Sequence, residues 1–202
     1  MEHYFIQDPK SESKENKIEI KIFDKKLEFY TNSGVFSKTK LDDRSELLIK
    51  NCIIQPNWKI LDYGCGWGPI GIILLKKYNI NCTFIDTNQR AIELTKKNIE
   101  LNNIKNKFQI LKCDIEDNTI NNNKIKFDSI LLNPPLKSGL KNCKRMFLNA
   151  YNNLKLNGIL QIVYRNKVEG NEFEKYINKI FGNFNVITQK SRIKVTICRK
   201  LE

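Results

Sequence analysis

The stretch Asp62-Tyr63-Gly64-Cys65-Gly66-Trp67-Gly68-Pro69-Ile70-Gly71 decides how this chain is read. It lies between a short apolar run, 59–62, with strand character and an apolar run over about 69–78 with helical character. Glycines 64, 66 and 68 therefore form the turn from strand to helix, where they permit positive φ and let a ligand lie against bare backbone. Within it, Gly66 to Gly71 matches the GxGxxG pattern of dinucleotide sites. Two residues argue against a pyrophosphate there. Pro69 removes one N–H at the helix start, and the Asp62 carboxylate stands close to where the phosphate would sit. Both suit S-adenosylmethionine, which has no phosphate and carries a cationic amino group and a sulfonium. Asp62 then supports the amino acid end of that cofactor.

Outward from this turn, short strands and helices alternate. Strands are expected at 81–86, 108–112, 127–132 and 159–164, and helices at about 89–102, 141–154 and 171–181. The pattern is that of an α/β, Rossmann-like, doubly wound and mostly parallel seven-stranded sheet. The last two strands, 184–189 and 192–198, form an antiparallel C-terminal hairpin at one end of the sheet. In front, Ile18, Ile20 and Ile22 alternate with polar residues, Asp24-Lys25-Lys26 turns the chain, and 27–30 returns as a second strand. The expected organisation is an N-terminal arm and β-hairpin extension over 1–40 and a cofactor-binding domain over 41–202. Asp42 or Asp43 caps the first helix of that domain, whose apolar face is Leu47, Leu48, Cys52 and Ile53.

The strand ends carry the remaining cofactor candidates. Asp86 ends the second strand of the sheet some 20 residues after the glycine turn, where a carboxylate can accept both ribose hydroxyls. Thr87 stands beside it. A strand-end turn with Asn88 is the competing reading. Asp114 ends the third strand and can accept from the adenine amine, with Cys113 and Ile115 as neighbours; a solvated strand-end carboxylate is the alternative.

The fourth strand ends in Asn133-Pro134-Pro135. An exocyclic amine is a poor nucleophile because its lone pair is delocalised into the ring. Accepting hydrogen bonds from both of its N–H groups biases the nitrogen toward sp³ and frees that pair. Asn133 Oδ1 and the Pro134 carbonyl are two such acceptors, and the paired prolines stiffen the backbone that aims them. Positioning then supplies most of the catalysis, without a strong general base.

Composition narrows the partners. The 35 Lys and Arg exceed the 22 Asp and Glu, a formal charge of +13 that favours RNA or DNA. AT-rich codon usage is the competing explanation for a chain crowded with Lys, Asn and Ile. The six cysteines, at 52, 65, 82, 113, 143 and 198, include no CxxC pair, so no metal site is expected and the thiols read as core residues of a reducing compartment. No apolar signal segment or membrane-length run is present, so the expectation is a cytoplasmic protein with no membrane partner.

These motifs resemble the class I S-adenosylmethionine-dependent methyltransferases, and more narrowly the methyltransferase small domain family, which includes the guanine-N2 methyltransferases of small-subunit ribosomal RNA. The resemblance runs from His3-Tyr4-Phe5 through Gly34-Val35-Phe36-Ser37, the glycine turn and Asn133-Pro134-Pro135 to the tail. It implies a nucleic-acid amine as acceptor and carries Phe36 over as a cofactor and substrate contact. Three departures stand out. Leu136 occupies a position that is aromatic in many members, so stacking on the target base falls to Phe36 or Tyr164. Asp42-Asp43-Arg44-Ser45 stands where relatives tend to have Asp-x-Gly-Thr, so Arg44 replaces a glycine. The larger bacterial relatives carry a second, degenerate copy of the domain, whose role would fall here to the basic surface or to dimerisation.

The resulting expectation is methyl transfer to guanine N2 of small-subunit ribosomal RNA or a ribosomal particle, by a monomer or homodimer. Lys137 and Arg145 stand at the substrate entrance with Lys38, Lys40, Lys141 and Lys144, and Leu136 is a further candidate substrate contact. The alternatives are adenine N6, a protein glutamine amide, or an RNA-binding module without catalysis.

Overall fold

The structure is a computed structural model that describes residues 14–35, 37, 39–105, 107–113, 125–135, 138–166 and 168–202. Strands β1 (Glu15–Ile22) and β2 (Lys25–Asn32) pair antiparallel, with Ile22 opposite Lys25. The turn between them is Phe23 (φ 52°) and Asp24 (φ 58°), one residue earlier than the charged triplet suggests. Two-residue hairpin turns take left-handed φ at their central residues because only that twist matches the strands. Phe23 is an unusual occupant of that region, and Lys77 Nζ sits 3.2 Å from its ring centroid.

Helix α1 (Asp43–Asn51) is capped by Asp42, whose Oδ2 accepts from Ser45 N at 3.2 Å. It buries Leu48 and Ile49; Ile53 lies beyond its end and is 44% exposed, so the buried face is narrower than the sequence spacing implied.

The main sheet contains β3 (Lys59–Tyr63), β4 (Asn81–Asp86), β5 (Phe108–Lys112), β6 (Phe127–Leu132), β7 (Leu154–Arg165), β8 (Asn185–Lys190) and β9 (Ile193–Arg199). Their order is β5-β4-β3-β6-β7-β9-β8, with β9 antiparallel to both of its neighbours, β7 and β8, and every other pair parallel. The helices between them are α2 (Pro69–Lys77), α3 (Gln89–Leu101), α4 (Leu140–Asn153) and α5 (Val168–Phe181). Strand β7 begins at Leu154 rather than 159, directly at the end of α4, and its pairing with β6 shifts register between the two. Asn157 (φ 63°) and Gly158 make that irregularity; a Cβ on Gly158 would lie 2.9 Å from two carbonyl oxygens.

Successive strand residues face opposite layers. Ile60, Phe84, Leu131 and Val163 pack with α1, α2, α3 and the hairpin residues Leu27 and Phe29. Leu61, Ile85, Leu132 and Ile162 pack with α4 and α5 through Phe147, Phe173 and Ile177. The hairpin thus shares one core with the α2–α3 layer. All six cysteines are free thiols and five are buried. Among the described residues no helix is long and apolar enough to cross a membrane.

The chain winds outward from β3 to β5, then returns to add β6 and β7 on the other side. The reversal falls between β3 and β6, and a crevice opens at the carboxyl ends of neighbouring strands at such a point. Both sequence motifs, Gly64–Gly68 after β3 and Asn133–Pro135 after β6, therefore meet across that crevice.

Candidate active site

Beyond β3 the chain turns through Gly64 (φ 72°), Gly66 (φ 58°) and Gly68 (φ 84°). Gly64 N and Cys65 N each donate to Ile85 O at 2.9 Å, which ties the turn to β4. A Cβ on Gly66 would meet nothing within 4 Å, so its glycine answers to conformation and leaves open space beside the backbone. Gly71 answers to crowding: a Cβ there would fall 2.3 and 2.6 Å from Phe84 ring carbons and 2.7 Å from Cys82 Sγ. Behind the turn, buried Asn98 donates to Trp67 O at 2.8 Å and Tyr30 O at 2.9 Å, and accepts from Tyr30 N at 2.6 Å. That one amide bolts the hairpin to the cofactor turn, and Phe29 packs edge-on against Trp67 with ring centroids 5.1 Å apart. A lone Asn in an amphipathic helix carries no signal of this role in the sequence.

Asp86 lines the cavity at the end of β4. Its Oδ2 accepts from Gly66 N and its Oδ1 from Asn88 N, both at 2.9 Å. The strand-end turn and the cavity position coexist, because each carboxylate oxygen has a second lone pair. Asn88 caps α3, accepting from Arg90 N at 2.9 Å and Ala91 N at 3.3 Å. Burial raises the Asp86 carboxyl above its ordinary pKa, opposed by N–H bonds from Asn88, Gly66 and Thr87. Asp62 is enclosed beneath the turn, where its Oδ2 accepts from Gly71 N at 2.9 Å. Burial pushes it up to about 7, against that N–H bond and aided by the charge of Asp86. It does not reach the cavity lining, so any influence on a ligand passes through the glycine turn. Asp86 on the cavity wall and enclosed Asp62 behind it favour a cation in the cavity.

Opposite the turn, Asn133, Pro134 and Pro135 line the same cavity. Asn133 Nδ2 donates to Asp42 Oδ2 at 3.0 Å and to Ser45 Oγ at 2.9 Å. Facing a carboxylate, that atom has to be the amide nitrogen, so the other is the oxygen. Asn133 Oδ1 is buried and has no partner among the described residues. The Pro135 carbonyl accepts from Ser138 N at 2.8 Å and Ser138 Oγ at 2.7 Å, whereas no described residue donates to the Pro134 carbonyl. Among the described residues, neither Asn133 Oδ1 nor the Pro134 carbonyl has a donor.

Cys65, Thr87, Cys113 and Met146 also line the cavity, with Arg44 at the α1 side. No motif or spacing in the sequence points to Met146 or Arg44 as cavity residues. Phe36, Asp114, Ile115, Leu136 and Lys137, with Lys38, lie outside the described residues. Tyr164 is a correction: it is fully buried in the α4–α5 core, its hydroxyl donating to Glu174 at 2.6 Å and lying 3.0 Å from Thr196 Oγ1. Packing against Phe173 of α5 near the end of β7 leaves no ring face for a base. Arg145 points along α4 instead of into the cavity, donating to Asn142 Oδ1 at 3.0 Å. Lys40 is paired with Asp43 at 3.0 Å, and Lys144 lies 5.2 Å from the Tyr176 ring centroid.

The family model of the methyltransferase small domain matches residues 26–197. The chain belongs to this family. An uncharacterized protein of Bacillus subtilis, YbxB, is 32% identical over 203 residues, covering 99% of both chains. Ribosomal RNA small subunit methyltransferase C of Hamiltonella defensa is 32% identical over 176 residues, covering 85% of this chain and 50% of that protein. The chain spans about half the length of relatives of that kind. Among solved structures, the T. thermophilus 16S rRNA N2 G1207 methyltransferase in complex with AdoMet and guanosine matches with a TM-score of 0.80 at 21% identity, covering 95% of this chain and 52% of that one.

As a methyltransferase small domain protein, the chain is an S-adenosylmethionine-dependent methyltransferase. Its cavity fits that cofactor on three observations. The glycine turn offers bare backbone, Asp86 keeps free lone pairs at the end of β4, and the nearby carboxyl groups suit a ligand that is cationic at its amino group and sulfur.

Proposed function

We propose that this methyltransferase modifies the exocyclic amine of an RNA base, and that the base is guanine, at N2, in small-subunit ribosomal RNA. The observation that carries the chemistry is Asn133 Oδ1, a buried acceptor with no partner among the described residues, next to the Pro134 carbonyl. An unpaired buried acceptor costs roughly 1–3 kcal/mol, a deficit that an arriving amine N–H relieves. Asn133 Oδ1 and the Pro134 carbonyl each accept one amine N–H, which draws the nitrogen out of conjugation and turns its lone pair toward the methyl donor. Bound S-adenosylmethionine supplies an electrophilic methyl on its sulfonium. Asp86 holds the ribose hydroxyls, Gly64, Cys65, Gly66 and Gly68 present the backbone, and Asp62 supports the amino acid end from behind the turn. The methylated amine then loses one proton to water.

Support for small-subunit ribosomal RNA comes from the relatives named for it and from the charge of +13. Guanine N2 is taken from the family resemblance of the glycine turn and the Asn133-Pro134-Pro135 corner. Flipping a base from a single-stranded loop into such a cleft costs little compared with opening a duplex. The test is tritiated-methyl transfer to deproteinised ribosomal RNA, assembled small subunits and tRNA, followed by nucleoside analysis. N2-methylguanosine from a ribosomal acceptor is the expected product. Recovery of N6-methyladenosine, or label confined to protein, would replace the acceptor while keeping the cofactor.

A further inference from the structure

Resting on the reading of Asn133 as the amine acceptor, the geometry points to Asp42 and Ser45 as positioning residues that hold the Asn133 carboxamide in its working orientation. They sit at the N-terminus of α1, 91 and 88 residues away in sequence. Asp42 Oδ2 accepts from Ser45 N at 3.2 Å and from Asn133 Nδ2 at 3.0 Å, and is ion-paired with Arg44 Nε at 3.3 Å. Ser45 Oγ receives the Asn133 Nδ2 at 2.9 Å, so two acceptors take up the amide nitrogen. A flipped amide would set Oδ1 against the Asp42 carboxylate, and a bond donated by the Ser45 hydroxyl would offset only part of that repulsion. A flip about χ2 is therefore disfavoured, and Oδ1 is kept on the cavity side.

The cradle is itself anchored. At the far end of α1, Gln161 of β7, fully buried, accepts from Ile53 N at 2.8 Å and donates to Ile53 O at 2.8 Å. The same Gln161 donates to Ser129 Oγ of β6 at 2.8 Å. Helix α1 is thus clamped to the two strands at one end and to the residue following β6 at the other. Hydrogen bonds that lead from a carboxylate through an amide polarise one another, which also makes Oδ1 the stronger acceptor. Arg44, buried beside Asp42, balances its charge and forms part of the cavity wall. This gives a physical role to the segment in which a glycine of relatives is replaced by arginine.

The experiment combines a spectrum with a kinetic cycle. In ¹⁵N-labelled protein the Asn133 side-chain NH₂, assigned by its loss in Asn133→Ala, should exchange with water far more slowly than exposed Asn amides. Asp42→Ser, which keeps a helix cap, and Ser45→Ala should each speed that exchange. Turnover should fall about tenfold in Ser45→Ala and up to about a hundredfold in Asp42→Ser, as expected for misplaced reacting groups. The dissociation constant for S-adenosylmethionine should stay within about threefold, because the misplaced group bears on the acceptor amine. In an Asn133→Ala background the same substitutions should cause no further loss of turnover, whereas a purely structural role would cost the same in both backgrounds. Fast exchange of the Asn133 amide in the wild type, or equal losses in both backgrounds, overturns the cradle. A wild type that methylates no nucleic acid rejects the functional reading, and the exchange rates then decide the cradle alone.

Discussion

Replacing Gly71 by alanine should unfold the protein more easily, although alanine favours a helix. Gly71 sits in the first turn of α2, and an alanine there gains about 1 kcal/mol of intrinsic helix propensity. Against that, the new methyl would come within 2.3 Å and 2.6 Å of the Phe84 ring and 2.7 Å of Cys82 Sγ. Phe84 and Cys82 are 0% and 1% exposed, so neither can swing away, and α2 has to lift from β4. Overpacking of this kind costs about 1–3 kcal/mol, with the upper end expected for three simultaneous overlaps. Lifting α2 also stretches the 2.9 Å bond from Gly71 N to Asp62 and displaces Gly68 and Pro69, so cofactor affinity should fall with stability. Urea unfolding followed by circular dichroism measures the first effect, and calorimetric titration with S-adenosylmethionine the second. Phe84→Leu, which removes most of the ring, should make Gly71→Ala less costly by about 1 kcal/mol or more in the double variant. A Gly71→Ala protein as stable as the wild type would refute the reasoning, because it would mean that α2 does not lie on β4 as described.

Asp62, with its carboxyl raised to about 7, keeps a proton in the folded protein that the unfolded chain releases near pH 4. Its contribution is therefore complete below about pH 4 and lost as pH rises to about 7, up to roughly 4 kcal/mol for so enclosed a group. Asp62→Asn should flatten this fall; urea midpoints at pH 5 and pH 8 that keep the wild-type difference would exclude it. Asn133→Ala should bind S-adenosylmethionine within about threefold of wild type and lose about a hundredfold or more in turnover, read by calorimetry and single-turnover assay. Tyr164→Phe should cost about 1–2 kcal/mol of stability through the lost bonds to Glu174 and Thr196, and leave turnover unchanged. A selective loss of turnover there would return Tyr164 to the site. Asp86→Ala should weaken cofactor binding by more than tenfold, since it removes both the ribose acceptor and the partner of Gly66 N.

The strand and helix order was legible because period and punctuation are local properties. The strands at 81–86, 108–112 and 127–132 have the bounds that the apolar runs imply. Strand β7 was not, because Leu154-Lys155-Leu156 reads equally well as the last turn of α4, and only its pairing with Phe127 makes it strand. Tyr164 was misplaced for a related reason. A strand residue near the carboxyl edge can face the crevice or a covering helix, and α5 decides which by packing Phe173 against its ring at 6.1 Å.

By itself, the sequence determined the turn at Gly64–Gly68, the corner at Asn133–Pro135 and the alternation that carries both to one edge of a sheet. Those are matters of backbone freedom, ring constraint and hydrophobic period, each contained within a few consecutive residues. The tertiary structure alone decided what stands behind them: Asn98 joining hairpin to turn, Gly71 against Phe84, and Asp42 with Ser45 around the Asn133 amide. Each of these joins residues far apart in the chain through bonds of about 3 Å or direct atomic contact. No spacing rule encodes such a bond; it exists only once the sheet order places β3, β6 and the start of α1 around one cleft.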